Sequence, residues 1–424
     1  MIKKIRNSAF AKNSLVLFVG TMLASVLNYV FHLLVGRMVD VEVYGEVQSL
    51  TSLINIISVP AMTITMIATK YSAGFRADND VLGCKKVMEY MSRKITKFGL
   101  PVFIVAMILT PFVSEFLNIE SNLPLMIIWF LMLSSFYLAI NNGVLGGWQK
   151  FESVSRVGVL GAVMKLFFGI LLVKIGFGVN GVIGGFAIGA IASYAASIVM
   201  LRFIVSAKDD TENEESQKVD FGSIKQYALP AFVGNLAINI LGNIDMVMAK
   251  HNLESVEAGQ YGALTIVSKI IFFATGVIAT VLFSMSAEDS HKKNSSMRIL
   301  ANAAGLMLFV CVASIGAYFL LPDFILGMLF GDKYSDVSHY LGWFAILVTL
   351  FSFVNLVFQY LLSIHKTRVV YSFFAIAVVS AISIMFFGYN FYDILLIASI
   401  SQILAILIGL RSLFQKEHDS INKK

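Results

Sequence analysis

Uncharged, apolar stretches of about twenty residues recur along the whole chain, and this recurrence limits the fold more than any single motif. A hydrocarbon core about 30 Å thick takes about 20 helical residues to cross. Twelve windows qualify, at approximately 14–36, 46–69, 98–118, 124–147, 156–177, 180–203, 226–249, 258–284, 298–321, 339–363, 369–389 and 391–412. Their composition is not that of a soluble domain, since 58% of residues are hydrophobic and 14% charged, against about 45–50% and about 25% for soluble proteins. The alternating pattern of a membrane barrel is absent, and open strands would leave backbone groups unpaired in lipid, so the spans are expected to be helices.

Basic residues predict the orientation, because short loops rich in Lys and Arg stay in the cytoplasm. With the N-terminus inside, 26 of the 32 Lys and Arg fall in inner segments, among them Lys3, Lys4, Arg6 and Lys12. Only Arg37, Lys250 and Lys333 fall in outer segments, and Lys165, Lys174 and Lys269 lie within spans. Both termini are therefore expected in the cytoplasm. The net charge of +6 is explained by basic loops facing anionic headgroups and calls for no nucleic acid. The first apolar run is longer than a signal-peptide core and no A-x-A-like site follows it, so it reads as a retained helix. Cys84 in an inner loop and Cys311 in a span suggest neither a disulfide nor a metal site.

An internal repeat follows from the spacing. The polar linker VSAKDDTENEESQKVDFGSIKQ separates six windows from six, and residues 14–202 and 225–412 are 189 and 188 long. The outer turn GRMVDVEVYGEVQSL is echoed by AKHNLESVEAGQYGAL, each an acidic stretch followed by Tyr-Gly at the start of the next helix. Two halves starting on the same side form a parallel repeat about an axis along the membrane normal, usually around a central cleft. The expected architecture is thus an all-α integral membrane protein with twelve transmembrane helices. Its parts are an N-terminal six-helix lobe at 1–206, a linker at 207–224, a C-terminal six-helix lobe at 225–412 and a tail at 413–424.

Three stretches carry a family resemblance: GRMVDVEVYGEVQSL, NNGVLGGWQKFESVSRVGVLGAVMKLFFGILLVKIGFGVNGVIGGFAIGA and NILGNIDMVMAKHNLESVEAGQYGAL. In these the chain resembles the Wzx-like oligosaccharide flippases of the polysaccharide-transport group. That group belongs to the MOP superfamily, which also holds MATE exporters and MurJ lipid II flippases. The resemblance covers nearly the whole chain, through soft patterns of Gly, Tyr and charge. The two additional helices of the MurJ flippases have no counterpart. The resemblance implies translocation of undecaprenyl-pyrophosphate-linked oligosaccharide repeat units across a bacterial cytoplasmic membrane for surface polysaccharide assembly. It also implies membrane lipids as surroundings, a polysaccharide polymerase as a candidate partner, a monomer, no cofactor, and Na⁺ or H⁺ as a coupling ion.

The in-span charges are the candidate site residues, because a charge at the centre of a span costs at least about 2.5 kcal/mol and normally faces a cavity or a partner. Lys165 and Lys269 fall near the middle of the fifth and eighth windows. With Arg37 at the outer end of the first, they give any cleft a cationic tendency, whereas Asp245 is the only carboxylate clearly inside a span. That balance favours an anionic cargo. Lys269 either faces the cleft or pairs with Asp245. Asn235, Asn239 and Asn243 share one helix face, extended by Lys250, and either contact sugar or bond to other helices. Asn28 and His32 make a shorter stripe; His32 is a packed polar residue or, with Asp245, an ion-coupling candidate. Lys174 reads as a snorkelling anchor.

Gly181, Gly185 and Gly189 predict close helix packing, and Pro60 and Pro230 predict bends. Val81, Cys84, Met88, Met91 and Ile95, flanked by Lys85, Lys86, Arg93 and Lys94, predict an interfacial amphipathic helix on the inner leaflet. No cluster of catalytic residues or phosphate loop suggests an enzyme. The two competing readings are a MATE-like cation-coupled exporter of small molecules and a non-transporting envelope-assembly scaffold.

Overall fold

The computed structural model describes residues 9–207, 221–288, 293–364 and 366–414. Lys3, Lys4, Arg6, most of the predicted linker and most of the predicted tail lie outside them. The described residues are helical throughout and contain no strand, as the need to satisfy backbone groups within each span requires. The chain divides into two compact units, Met1–Ala228 and Leu229–Lys424.

The first unit holds α1 (Ala9–Met38), α2 (Val41–Ile57), α3 (Val59–Ala77), α4 (Val81–Phe116), α5 (Leu123–Gly147), α6 (Phe151–Lys174), α7 (Gly178–Met200) and the short α8 (Arg202–Val205). The second holds α9 (Phe221–Leu241), α10 (Ile244–Asn252), α11 (Ser255–Glu288), α12 (Lys293–Leu320), α13 (Pro322–Phe330), a 3-10 segment Asp332–Tyr340, α14 (Leu341–Ser363), α15 (Val370–Phe387) and α16 (Phe391–Phe414). Among the described residues, ten segments are long and apolar enough to cross a membrane, α2 with α3 counting as one, and the bent pair α9–α10 makes an eleventh, beside the twelve expected. The window at 258–284 is a continuous helix, α11, that is not among those ten or the bent pair.

Packing inside each unit repeats, as equivalent sequence halves require. In the first unit α3 packs on α5, α5 on α7, α6 on α7, α4 on α5, and α1 on α6. In the second the corresponding pairs are α11 with α14, α14 with α16, α15 with α16, α12 with α14, and α10 with α15. Both Tyr-Gly pairs have the same fate: Tyr44 and Tyr261 are wholly buried, and each phenol meets a polar side chain of its own unit. Gln48 Nε2 donates to the Tyr44 hydroxyl, and the Tyr261 hydroxyl donates to Asp245 Oδ2 at 3.0 Å. The recurrent Tyr-Gly is thus a helix-start anchor that carries its hydroxyl into the core.

The predicted glycine face makes a close helix contact in the first unit. A Cβ on Gly185 would stand 2.5 Å from Gly169 Cα and 3.1 Å from the Lys165 carbonyl oxygen, and one on Gly189 would stand 2.7 Å from the Gly161 carbonyl oxygen. Only hydrogen at these positions lets the α6 and α7 backbones touch, and touching backbones replace the hydrophobic drive that lipid cannot supply. Polar pairs join other helices: Asn141 Nδ2 donates to Ser197 Oγ at 2.8 Å, and Trp129 Nε1 to Thr110 Oγ1 at 3.0 Å.

Two expectations about helix shape are corrected. The stretch from Val81 is not a separate interfacial helix but the first half of α4, 36 residues long and unbroken. Its apolar side packs on protein: Cys84 and Val87 are buried in a cluster with Phe75, Ile140, Leu145 and Ile204, and Met88, Met91 and Ile95 lean on it. A helix that covers a core in this way does not present that face to acyl chains. The sharp bend of the seventh span is at Gly242–Asn243, where α9 and α10 meet at 45°, and not at Pro230, which α9 absorbs within its continuous length. Pro60 sits in the first turn of α3, just after the break at Ser58, where its missing N–H leaves no bond unmade.

Two stability outcomes are expected. Gly185→Val forces α6 and α7 apart and costs about 1–3 kcal/mol, whereas Gly74→Ala, whose Cβ meets nothing within 4 Å, leaves the thermal midpoint unchanged or raised. Asn252 Nδ2 donates to the carbonyls of Ile384 at 2.7 Å and Gly388 at 2.9 Å. Asn252→Ala removes both bonds and lowers the stability of the second unit by about 1–2 kcal/mol, read from the detergent-solubilised protein by thermal melting.

Candidate functional site

Lys165 lies in the middle third of α6 with its backbone in the glycine seam. The side chain is 8% exposed, and its ammonium stands 4.7 Å from the centre of the Phe31 ring and 4.1 Å from that of Phe186. Two ring faces attract the cation electrostatically without neutralising it. His32 extends the same cluster, with ring centres 5.6 Å from Phe31 and 6.4 Å from Phe186. The amine borders a cavity of about 270 Å³ lined by Lys165, Asn28, Ser193, Phe186 and the small residues Gly158, Gly161, Ala162, Gly189 and Ala190. Among the described residues no carboxylate lines it. At about 30 Å³ per water, the space holds about nine waters, or a group of phosphate or single-sugar size.

The second unit places Lys269 and Asp245 in one polar network. Lys269 Nζ donates to Asn243 Oδ1 at 3.1 Å, at the break between α9 and α10. Asp245, in the first turn of α10, interacts electrostatically with Lys269 through space and accepts the Tyr261 hydroxyl bond on Oδ2. Its Oδ1 is buried and has no hydrogen-bond donor among the described residues. Asn235, Asn239 and Asn243 do share one face, but each Nδ2 donates at 2.9 Å to the carbonyl four residues back, on Ala231, Asn235 and Asn239 respectively. Such back-bonding engages one of the two N–H bonds that each amide could offer a sugar or a neighbouring helix.

The two other candidates are on α1 and α10. Arg37 is exposed at the end of α1. Lys250, in the last turn of α10, is only 1% exposed, so its stem and amine are enclosed by protein. The structure therefore joins Asn28 and Lys165 in one cavity with His32 beside it, and joins Lys269, Asn243 and Asp245 in another group. Sequence reasoning missed Phe31 and Phe186, since nothing marks two rings among 35 phenylalanines. Ser193 was legible in principle, one turn beyond Gly189 on the same face of α7. Tyr261 was seen as a motif residue but given no partner.

Comparison with known proteins gives the fold a context. A multidrug resistance MATE family transporter of the MOP superfamily, inward-facing, superposes with a TM-score of 0.71 at 13% identity, over 92% of this chain and 94% of that one. The lipid II flippase MurJ in an inward closed conformation gives 0.70 at 15% identity, over 95% and 88%. A MOP superfamily transporter from Pyrococcus furiosus, described by the reverse polarity of its binding pocket, gives 0.62 at 13%, over 95% of each chain. No curated protein sequence matches. The family profile described as "Polysaccharide biosynthesis protein" matches residues 10–288, well over half the chain. The protein thus belongs to the polysaccharide biosynthesis family, as a multi-pass helical membrane protein with the fold shared by MATE transporters and the MurJ flippase.

Proposed function

We propose that the protein is a flippase that moves undecaprenyl-pyrophosphate-linked oligosaccharide repeat units across the bacterial cytoplasmic membrane, with both of its own termini on the cytoplasmic side. Family membership and the kinship of fold with a lipid II flippase support a lipid-linked cargo. The observation that carries the reading is the Lys165 ammonium, held between two rings beside a cavity without a carboxylate. A protonated amine with no carboxylate partner among the described residues attracts an anion strongly in low-dielectric surroundings. A cation exporter needs the opposite sign. For the Pyrococcus furiosus transporter, too, reversed pocket polarity is what suggests a different function.

The residues divide the work by chemistry. Lys165 contacts the anionic part of the headgroup, and Asn28 and Ser193 supply hydrogen bonds to it or to the first sugar. Phe31 and Phe186 hold the amine without cancelling its charge, a contribution of about 2 kcal/mol where water is excluded. The cavity of about 270 Å³ accommodates a phosphate or one sugar, so recognition is confined to a small part of the cargo and the rest of the glycan lies beyond it. Reactions are not needed, since translocation makes and breaks no covalent bond.

The test is complementation of a deletion strain. Lys165→Met is expected to lower surface polysaccharide at least about tenfold, the loss of roughly 1.4 kcal/mol of cargo affinity, and to raise lipid-linked precursor on the cytoplasmic leaflet. Lys165→Arg keeps the charge and restores part of the export. Full export by Lys165→Met at normal abundance removes this lysine from the mechanism. A deletion strain that accumulates no precursor but becomes sensitive to cationic drugs favours the multidrug-exporter reading, for which the MATE fold match is the supporting observation.

A further inference from the structure

The break between α9 and α10 assembles what a monovalent cation requires. The carbonyl end of α9 carries the negative pole of its dipole. Asn243 offers Oδ1, Asp245 offers a carboxylate that is 6% exposed, and the Tyr261 oxygen stands 3.0 Å from Asp245 Oδ2. These are hard oxygen donors of the kind alkali cations take, and broken spans are a usual place for them in transporters. The Met246 backbone N–H bears on the Asp245 carboxylate, yet Oδ1 is buried with no hydrogen bond among the described residues, so the ionised group needs a positive neighbour.

The balancing cation is already present and covalently attached. Lys269 reaches from the middle third of α11 to Asn243 Oδ1 at 3.1 Å, and it is the basic group whose charge bears on Asp245. An alkali cation at Asp245 would sit beside this ammonium and be repelled by it. We propose that Lys269 is a tethered substitute for a free monovalent cation at the α9–α10 break, so that the site binds Na⁺ or K⁺ only when the lysine is removed. Asp245 then serves this chain as the partner of its own lysine rather than as a Na⁺ site. A transport cycle built on it runs without alkali coupling at this position.

The test uses the purified full-length protein in detergent, melted in NaCl, KCl or choline chloride at equal ionic strength. Wild type is expected to give the same midpoint in all three. Lys269→Met, which keeps the stem and removes the charge, is expected to melt at least about 2 °C higher in NaCl or KCl than in choline chloride. Asp245→Asn combined with Lys269→Met is expected to lose that difference. Selective stabilisation of wild type by an alkali cation, absent in Asp245→Asn, overturns the proposal. So does a folded Lys269→Met variant indifferent to the cation. Failure to recover Lys269→Met in NaCl when the double variant folds overturns it as well. The readout is stability, so it is separate from the precursor accumulation that tests the cargo.

Discussion

Contact between bare backbones along α6 and α7 is the constraint on which the rest of the first unit depends. Lipid supplies no hydrophobic force between helices, so surfaces must fit closely enough for dispersion to act over their whole length. Gly161 and Gly169 on one helix and Gly185 and Gly189 on the other bring backbone against backbone along the seam. The Lys165 main chain lies inside it, with its carbonyl oxygen and Cβ against Gly185 and Gly189. A long flexible side chain is thereby fixed at its root, and only its distal methylenes are left to choose a direction. Phe31 from α1 and Phe186 from α7 take up that choice. Packing and charge placement are thus one feature seen at two scales.

Much of this was legible in the sequence because spans in lipid obey few rules. The apolar windows located the segments, the glycine spacing in α7 located the seam, and the basic stem of α4 was recognised for its charge. What escaped has physical reasons. The amphipathic stretch from Val81 has the same pattern whether its apolar side meets lipid or the cluster around Cys84, and periodicity cannot tell these apart. A proline advertises a bend, yet the bend of the seventh span falls at Gly242–Asn243, where the polar face of α9 meets Lys269. The in-span lysines were equal candidates by position. They differ in their neighbours across helices, two rings for Lys165 and an amide with a carboxylate for Lys269, and such neighbours are far apart in the chain.

The asparagines make the same point within one helix. Asn235, Asn239 and Asn243 occupy one face, as their spacing requires, but their amide donors turn back onto their own backbone. A polar stripe in a span therefore advertises hydrogen-bonding capacity without saying how much is already used. In α9 each amide turns one of its two N–H donors onto the backbone, and Asn243 Oδ1 is engaged by Lys269. At Lys165 the amine instead meets only the π-faces of Phe31 and Phe186 among the described residues. Availability, more than polarity, separates a binding group from a structural one.

The length of α4 has a mechanical meaning. At 1.5 Å per residue, its 36 residues extend about 54 Å, well beyond a hydrocarbon layer of about 30 Å. Pro101 and Pro111 lie inside this helix, and the missing hydrogen bonds there make them soft points of the shaft. A pivot of about 10° at Pro101 swings the Val81 end, roughly 30 Å away, through about 5 Å. Lys85 near that end donates to the Ala207 carbonyl oxygen at 2.7 Å, which ties the Val81 end of the shaft to the chain just beyond α8.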